Sequence, residues 1–254
     1  MSKSTRGFRQ ARYRVFARRL LPEIVKGPLR RLMQTDRPAV GRVRFGDLGR
    51  TEPISRDYGF DRGTPIDRVY IERFLTKHAP RIRGRTLEVV GDEYTARFGG
   101  HRTTQRDVVD LHLENTRATI VGDLTNLGAE WDDTFDAIVL TQTLQLIYNL
   151  REAVSALYRL LKSGGTVLVT VPGLTPIDHH REYETWYWSL TEISARRLFS
   201  DIFGANSTDV VVYGNVSSAV CFLQGLAAEE LKPQMLDTRD PHFPVIIGIC
   251  ATKD

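Results

Sequence analysis

The sequence predicts an α/β fold: a doubly wound, mostly parallel sheet of seven strands with helices on both faces, preceded by an Arg-rich helical arm. Three observations predict it. The stretch 135–173, FDAIVLTQTLQLIYNLREAVSALYRLLKSGGTVLVTVPG, reads as one strand–helix–strand unit. Short apolar runs recur upstream at 86–90, 107–111 and 118–121. A late strand–helix–strand unit, with strands at 209–213 and 243–252 around a helix near 218–230, completes the set. Strands alternating with helical segments are the pattern of a parallel sheet covered on both faces.

Each element has its own signal. A helix at 66–78 places Ile66, Val69, Tyr70, Phe74 and Leu75 on one stripe. In the 135–173 unit, both strands are short, apolar and rich in β-branched residues, as buried strands are. Between them Leu150, Val154, Leu157, Leu160 and Leu161 recur at helical spacing, with Lys162 in the last turn and Gly164-Gly165 as the stop. A helix at 191–203 is capped by Thr191. Right-handed connections gather the carboxyl ends of the first five strands along one crevice, where the polar loop Thr141-Gln142-Thr143 emerges.

The chain has 254 residues, 41% hydrophobic and 26% charged, enough for one globular domain with an extension. The net charge of +4 hides an asymmetry: residues 1–50 hold 14 basic and 3 acidic side chains, the remainder 21 and 28. A boundary near 44/45 therefore separates a basic arm, 1–44, from the main domain, 45–254. In the arm, Tyr13, Phe16, Ala17, Leu20 and Ile24 share a face flanked by arginines. It reads as a helix packed on the main domain, as an anionic membrane or glycan contact, or as a targeting segment; nucleic acid is disfavoured as a partner. Two isolated cysteines, Cys221 and Cys250, exclude a disulfide framework and a zinc cluster and point to a reducing, cytoplasmic setting, membrane-peripheral if the arm binds lipid. No apolar run reaches the roughly 18 residues of a membrane span.

The first strand ends LEVVGDEYTARFGG, with Glu88, Gly91 and Asp92 at the turn. A dinucleotide site wants G-x-G-x-x-G there, and a carboxylate at that point repels phosphate. A ligand without phosphate and with a positive charge fits better, and S-adenosylmethionine (SAM) is one, its ammonium within reach of Glu88 or Asp92. Twenty-two residues beyond Glu88, Asp110 stands at the interval of a ribose-binding acid. Asp123 follows the third strand, where a side chain can reach an adenine amino group. Any one of these acids is an ordinary strand-end residue; three on successive parallel strands form a pattern.

The order LEVVGD…VVD…IVGDL, followed by the 135–173 unit, resembles the class I SAM-dependent methyltransferase family. More narrowly it is similar to bacterial methyltransferase-domain proteins often encoded beside glycosyltransferases, with Gly91-Asp92 and Tyr94-Thr95 in the first loop. The resemblance spans about residues 45–253 and leaves the arm out. It implies a Rossmann-like methyltransferase fold, with Glu88, Gly91 and Asp92 lining the methionine moiety, Asp110 on ribose, Asp123 and Leu124 framing adenine, and Thr141 and Gln142 facing the sulfonium.

The acceptor then enters after the fifth strand, at VPGLTPIDHHREYETWYWSLT. Asp178, His179 and His180 read as a base cluster for a hydroxyl, as a divalent-metal set, or as a solvated loop. Trp186, Tyr187 and Trp188 offer faces for a sugar or planar acceptor, or pack the next helix. Related sequences carry an arginine where Ser189 stands here, which implies an altered acceptor. The expected function is O-methylation of a saccharide or glycoconjugate, without a bound metal. The alternatives are a non-catalytic docking module in a glycan-assembly complex, or a methyltransferase of a non-sugar natural product. An NAD-type oxidoreductase is disfavoured by the missing glycines, and a homo-oligomer stays open.

Overall fold

The computed structural model describes residues 38–178 and 186–254. The chain divides after Arg50. Residues 38–50 hold one short 3-10 turn, Gly46–Gly49, and the sheet lies in 51–254.

The sheet has seven strands in the order β3-β2-β1-β4-β5-β7-β6. These are β1 Gly84–Val89, β2 Thr103–Asp110, β3 Ile120–Val121, β4 Phe135–Thr141, β5 Leu161–Pro172, β6 Thr208–Tyr213 and β7 Ile246–Thr252. Strands β1 to β5 pair in parallel, and β7 runs antiparallel between β5 and β6. The expected Rossmann-like, mostly parallel sheet is therefore present.

Both faces are apolar, which is why the strands read as continuous hydrophobic runs rather than alternations. On one face Ile138, Leu140, Val167, Val169, Ile247 and Ile249 pack under helices α2 (Leu150–Leu160) and α3 (Glu192–Phe203). On the other, Val139, Leu168, Ile246 and Cys250 pack under α1 (Ile66–His78) and α4 (Val216–Leu223). A last short helix, α5, covers Pro233–Asp237. Helix α3 is closed by a capping box in which the Thr191 hydroxyl accepts from the Ser194 amide and the Ser194 hydroxyl from the Thr191 amide.

Two expected helix ends differ. Helix α2 stops at Leu160, so Lys162 is not in its last turn and Gly164-Gly165 do not end it. They lie inside β5 as an irregularity: Phe135 pairs with Leu161, but Ala137 pairs with Thr166. Gly164, at φ +76°, donates to the Lys253 carbonyl, and the Lys253 amide returns a bond to Gly165. A Gly-Gly pair marks a strand bulge as readily as a helix end. The helix expected near 218–230 ends at Leu223, because Gly225 turns left-handed (φ +72°) with its α-carbon against the Ser55 carbonyl.

Gly248 of β7 faces α1, where a Cβ would meet the fully buried Phe74 ring at 2.5 Å. Gly248→Ala is expected to cost about 1–3 kcal/mol by overpacking. Chemical denaturation reads this as a lower midpoint at unchanged slope, and a second change, Phe74→Leu, should recover part of it.

Candidate active site at the carboxyl ends of the strands

The loops leaving β1, β2, β3, β4 and β5 meet along one edge of the sheet, and the expected site residues are distributed over them. Glu88, in the last turn of β1, is 5% exposed. Its carboxylate accepts from the amides of Tyr94 (3.2 Å) and Thr95 (2.7 Å), so it holds the following turn from beneath. Burial pushes its pKa up to about 7, against the pull of those amides. Gly91 is buried beside the Glu93 carboxylate.

Asp92 is not an open charge. It accepts from Arg106 Nε (2.9 Å) on β2 and from Arg117 (2.7 Å), and Arg117 also pairs with Glu93. These hydrogen bonds hold the Asp92 carboxyl below its usual range. The two arginines, 14 and 25 residues downstream of Asp92, leave no local mark in the sequence.

Asp110 ends β2 and is 8% exposed. It accepts from the His112 amide (3.0 Å) and from Asn115 Nδ2 (2.6 Å), and Asn115 also donates to the Val90 carbonyl (2.8 Å). Burial opposes ionisation of Asp110, but these donors outweigh it and its pKa lies below normal. Asn115 thus ties the ends of β1 and β2 together. Exposed apolar residues lie close to Asp110 in the chain (Leu111, Leu113), opposite it in the β3 register (Val121) and across the Asn115 bridge (Val90). Asp123 caps the 3-10 turn Leu124–Asn126, accepting from the Thr125 amide and hydroxyl, both at 2.8 Å. Leu124 packs into the core with α2.

Two non-glycine residues adopt left-handed backbone at the ends of the neighbouring strands β1 and β4: Val90 (φ +69°) and Gln142 (φ +49°). For a β-branched valine this is a strained conformation of about 1–3 kcal/mol, of a kind concentrated at binding sites. Thr141 ends β4. Gln142 donates its amide to the Thr170 carbonyl (2.9 Å) and its side chain reaches the Thr170 hydroxyl at 3.4 Å.

Beyond β5, Asp178 is half-buried. His179 and His180 lie outside the described residues. Trp186 is half-buried, whereas Tyr187 and Trp188 are exposed. Tyr148 joins them: its ring lies 5.3 Å from Tyr187, edge-on, and 6.0 Å from Trp188. The Trp188 indole N–H donates to the carbonyls of Ile147 and Tyr148, so the platform presents ring faces rather than that donor. Among the described residues no group of three or more His, Cys, Asp and Glu is placed to hold a metal, and no helix is long and apolar enough to cross a membrane.

Residues 88–169, from the buried acid of β1 to the middle of β5, match the family described as "Methyltransferase domain". This segment, about a third of the chain, is similar to a methyltransferase domain. With it come the enzyme class, SAM-dependent methyl transfer, and the cofactor, SAM. The residues present fit that cofactor: an acid held ionised at the end of β2, with exposed apolar residues next to it in the chain and in the β3 register, suits an adenosine better than it suits a phosphate. No curated protein matches the chain. Similar solved structures include a SAM-dependent methyltransferase from Archaeoglobus fulgidus, 12% identical, covering 73% of this chain and 93% of that one at a TM-score of 0.49. Another is a putative SAM-dependent methyltransferase from Listeria monocytogenes, 13% identical, with 73% and 99% covered and a TM-score of 0.48. A third is phosphoethanolamine N-methyltransferase 2 of Haemonchus contortus, solved with SAM, 16% identical, with 73% and 52% covered and a TM-score of 0.49.

Proposed function

We propose that the methyltransferase domain methylates a hydroxyl of a saccharide, glycoconjugate or polysaccharide precursor, in the manner of bacterial proteins that act beside glycosyltransferases in the cytoplasm. The observation that carries the acceptor class is the aromatic platform of Tyr148, Tyr187 and Trp188, exposed next to the strained end of β4. Ring faces of this kind take the apolar face of a pyranose.

Bound SAM supplies a methyl group on a positively charged sulfur. Asp110 accepts from the ribose hydroxyls, and Asp123 from the adenine amino group. The turn built on Glu88, Gly91 and Asp92 surrounds the amino-acid end, and Leu124 supports the adenine side. Thr141 and Gln142 border the sulfonium. The attacking hydroxyl must lie in line with the methyl–sulfur bond and lose its proton as the new bond forms. The group Asp178-His179-His180 takes that proton, one neutral imidazole acting as base. The basic arm, 1–44, docks the enzyme on an anionic surface such as a membrane or glycan.

A radiolabelled SAM assay against sugars and glycolipid precursors tests the reading. Label in at least one hydroxylated acceptor is expected. His179→Ala or His180→Ala should spare SAM binding and lower turnover by about 10²–10⁴-fold. Unchanged turnover in both variants removes the base assignment. A second reading, a non-catalytic docking module, draws on the pairing of Asp92 and Glu93 with Arg106 and Arg117. It predicts partner capture with no label transferred to any acceptor.

A further inference from the structure

The acids Asp92 and Asp110 stand at the ends of neighbouring strands and are held in opposite ways. Asp92 accepts from two guanidinium groups, Arg106 Nε at 2.9 Å on Oδ2 and Arg117 Nη2 at 2.7 Å on Oδ1, so a cation already sits on each oxygen. Asp110 accepts from neutral donors: the His112 amide reaches Oδ1 at 3.0 Å, and Asn115 Nδ2 reaches Oδ2 at 2.6 Å. Asn115 is itself fixed on two further sides. Its Nδ2 also donates to the Val90 carbonyl at 2.8 Å, and its Oδ1 accepts from the Arg117 amide at 3.0 Å. Val90 is anchored in turn, its amide donating to the Val109 carbonyl of β2 at 3.0 Å and its φ held at +69°.

A side-chain amide offers two donors and an acceptor, and all three kinds of bond are in use here. The Asn115 amide plane is therefore locked, and one of its hydrogens stays aimed at Asp110. A carboxylate turns about a single soft torsion, which decides where its lone pairs point. Two neutral donors at fixed positions set that torsion and leave the charge uncompensated, whereas an arginine would neutralise the acid, as at Asp92. One bond on each oxygen of Asp110 also leaves a second lone-pair site on each. We propose that Asn115 is a positioning residue for the cofactor: it aims the Asp110 carboxylate so that one lone pair on each oxygen meets one of the two vicinal hydroxyls of the ribose. This rests on the reading of Asp110 as the ribose acid of a SAM-dependent methyltransferase. The effect of Asn115 passes through Asp110 rather than through a contact of its own with the ligand.

A double-mutant cycle on S-adenosylhomocysteine binding, read by calorimetric titration, tests this. Asn115→Ala should weaken binding by about tenfold or more in the parent chain. In an Asp110→Ala background the same change should cost less than about twofold, because the acid it aims is gone. The 2′,3′-dideoxy analogue of the homologue repeats the cycle on the ligand side: Asn115→Ala should change its affinity by less than about twofold. Asn115→Asp keeps the shape and the acceptor for the Arg117 amide but has no donor. It should show the same ribose-dependent loss, and it serves as the test if the alanine variant does not fold. The proposal is overturned if either variant binds the homologue as tightly as the parent. It is equally overturned if the loss is as large in the Asp110→Ala background or for the dideoxy analogue, which would mark a general loosening of the loops. If Asp110→Ala alone binds the homologue as the parent does, the ribose reading falls and this inference with it. Absence of homologue binding in the parent overturns the methyltransferase reading itself.

Discussion

Asp110→Ala is expected to weaken SAM binding by about 10- to 100-fold, the loss that follows when a hydrogen bond to a charged group, about 1.5–3 kcal/mol, is removed. The expectation rests on three properties of the side chain. It is buried at the end of β2, it is held ionised by the His112 amide and Asn115, and exposed apolar residues adjoin it in the chain and in the β3 register. An ionised carboxylate accepts from two ribose hydroxyls at once, which no neutral replacement does as well. Part of the loss will be indirect, since Asn115 also bridges to Val90 and is freed when Asp110 is truncated. Asp110→Asn separates the contributions: it keeps a carbonyl oxygen for the loop and loses the charge. Calorimetric titration should place its affinity between those of the parent and the alanine variant. If Asp110→Ala binds SAM as the parent does, ribose is held elsewhere.

The legible parts of the molecule were those with a local signature. Helix α1 is legible because an apolar stripe at helical spacing runs from Ile66 to Leu75, within its observed span Ile66–His78. Strand β4 and the 165–172 part of β5 are visible because burial on both faces makes them apolar. The Gly164-Gly165 pair was read as a helix stop because a glycine with positive φ closes a helix and opens a bulge with the same two residues; only the pairing partner, Lys253 at the end of β7, decides between them. The same limit applies to the site. Acids at strand ends could be found by their interval, but their partners could not. Arg106 and Arg117 meet Asp92 only once β2 lies beside β1, and Tyr148 meets Tyr187 only once the loops after β4 and β5 converge.

Glu88 makes the second large prediction, and its sign is opposite to that of an ordinary paired carboxylate. Its pKa rises from an unfolded value near 4.5 to about 7 in the fold. Between those values the native state binds more protons than the unfolded chain, so stability falls as pH rises from 4.5 to 7. A shift of this size corresponds to about 3 kcal/mol. Asp67, raised to about 6 chiefly by burial, adds a fall of the same sign. The acids held low, Asp92, Asp110 and Asp136 among them, stabilise in the other direction but titrate below the usual carboxylate range; His78, which burial lowers, opposes the raised pair within the window, so the difference between the parent and Glu88→Gln is what isolates Glu88. Glu88→Gln keeps an oxygen for one of the amides of Tyr94 and Thr95 and removes the titration. Urea unfolding at pH 5 and pH 7.5 should show a marked loss in the parent and a much smaller one in Glu88→Gln; equal losses would put the proton on another residue. The consequence reaches the site, because the turn that Glu88 holds is the one proposed to surround the amino-acid end of SAM. A cationic ligand arriving there favours the charged carboxylate, so Glu88 should release its proton on binding. Titrations near pH 7 in buffers of different ionisation enthalpy should then give different observed heats for the parent and matching heats for Glu88→Gln.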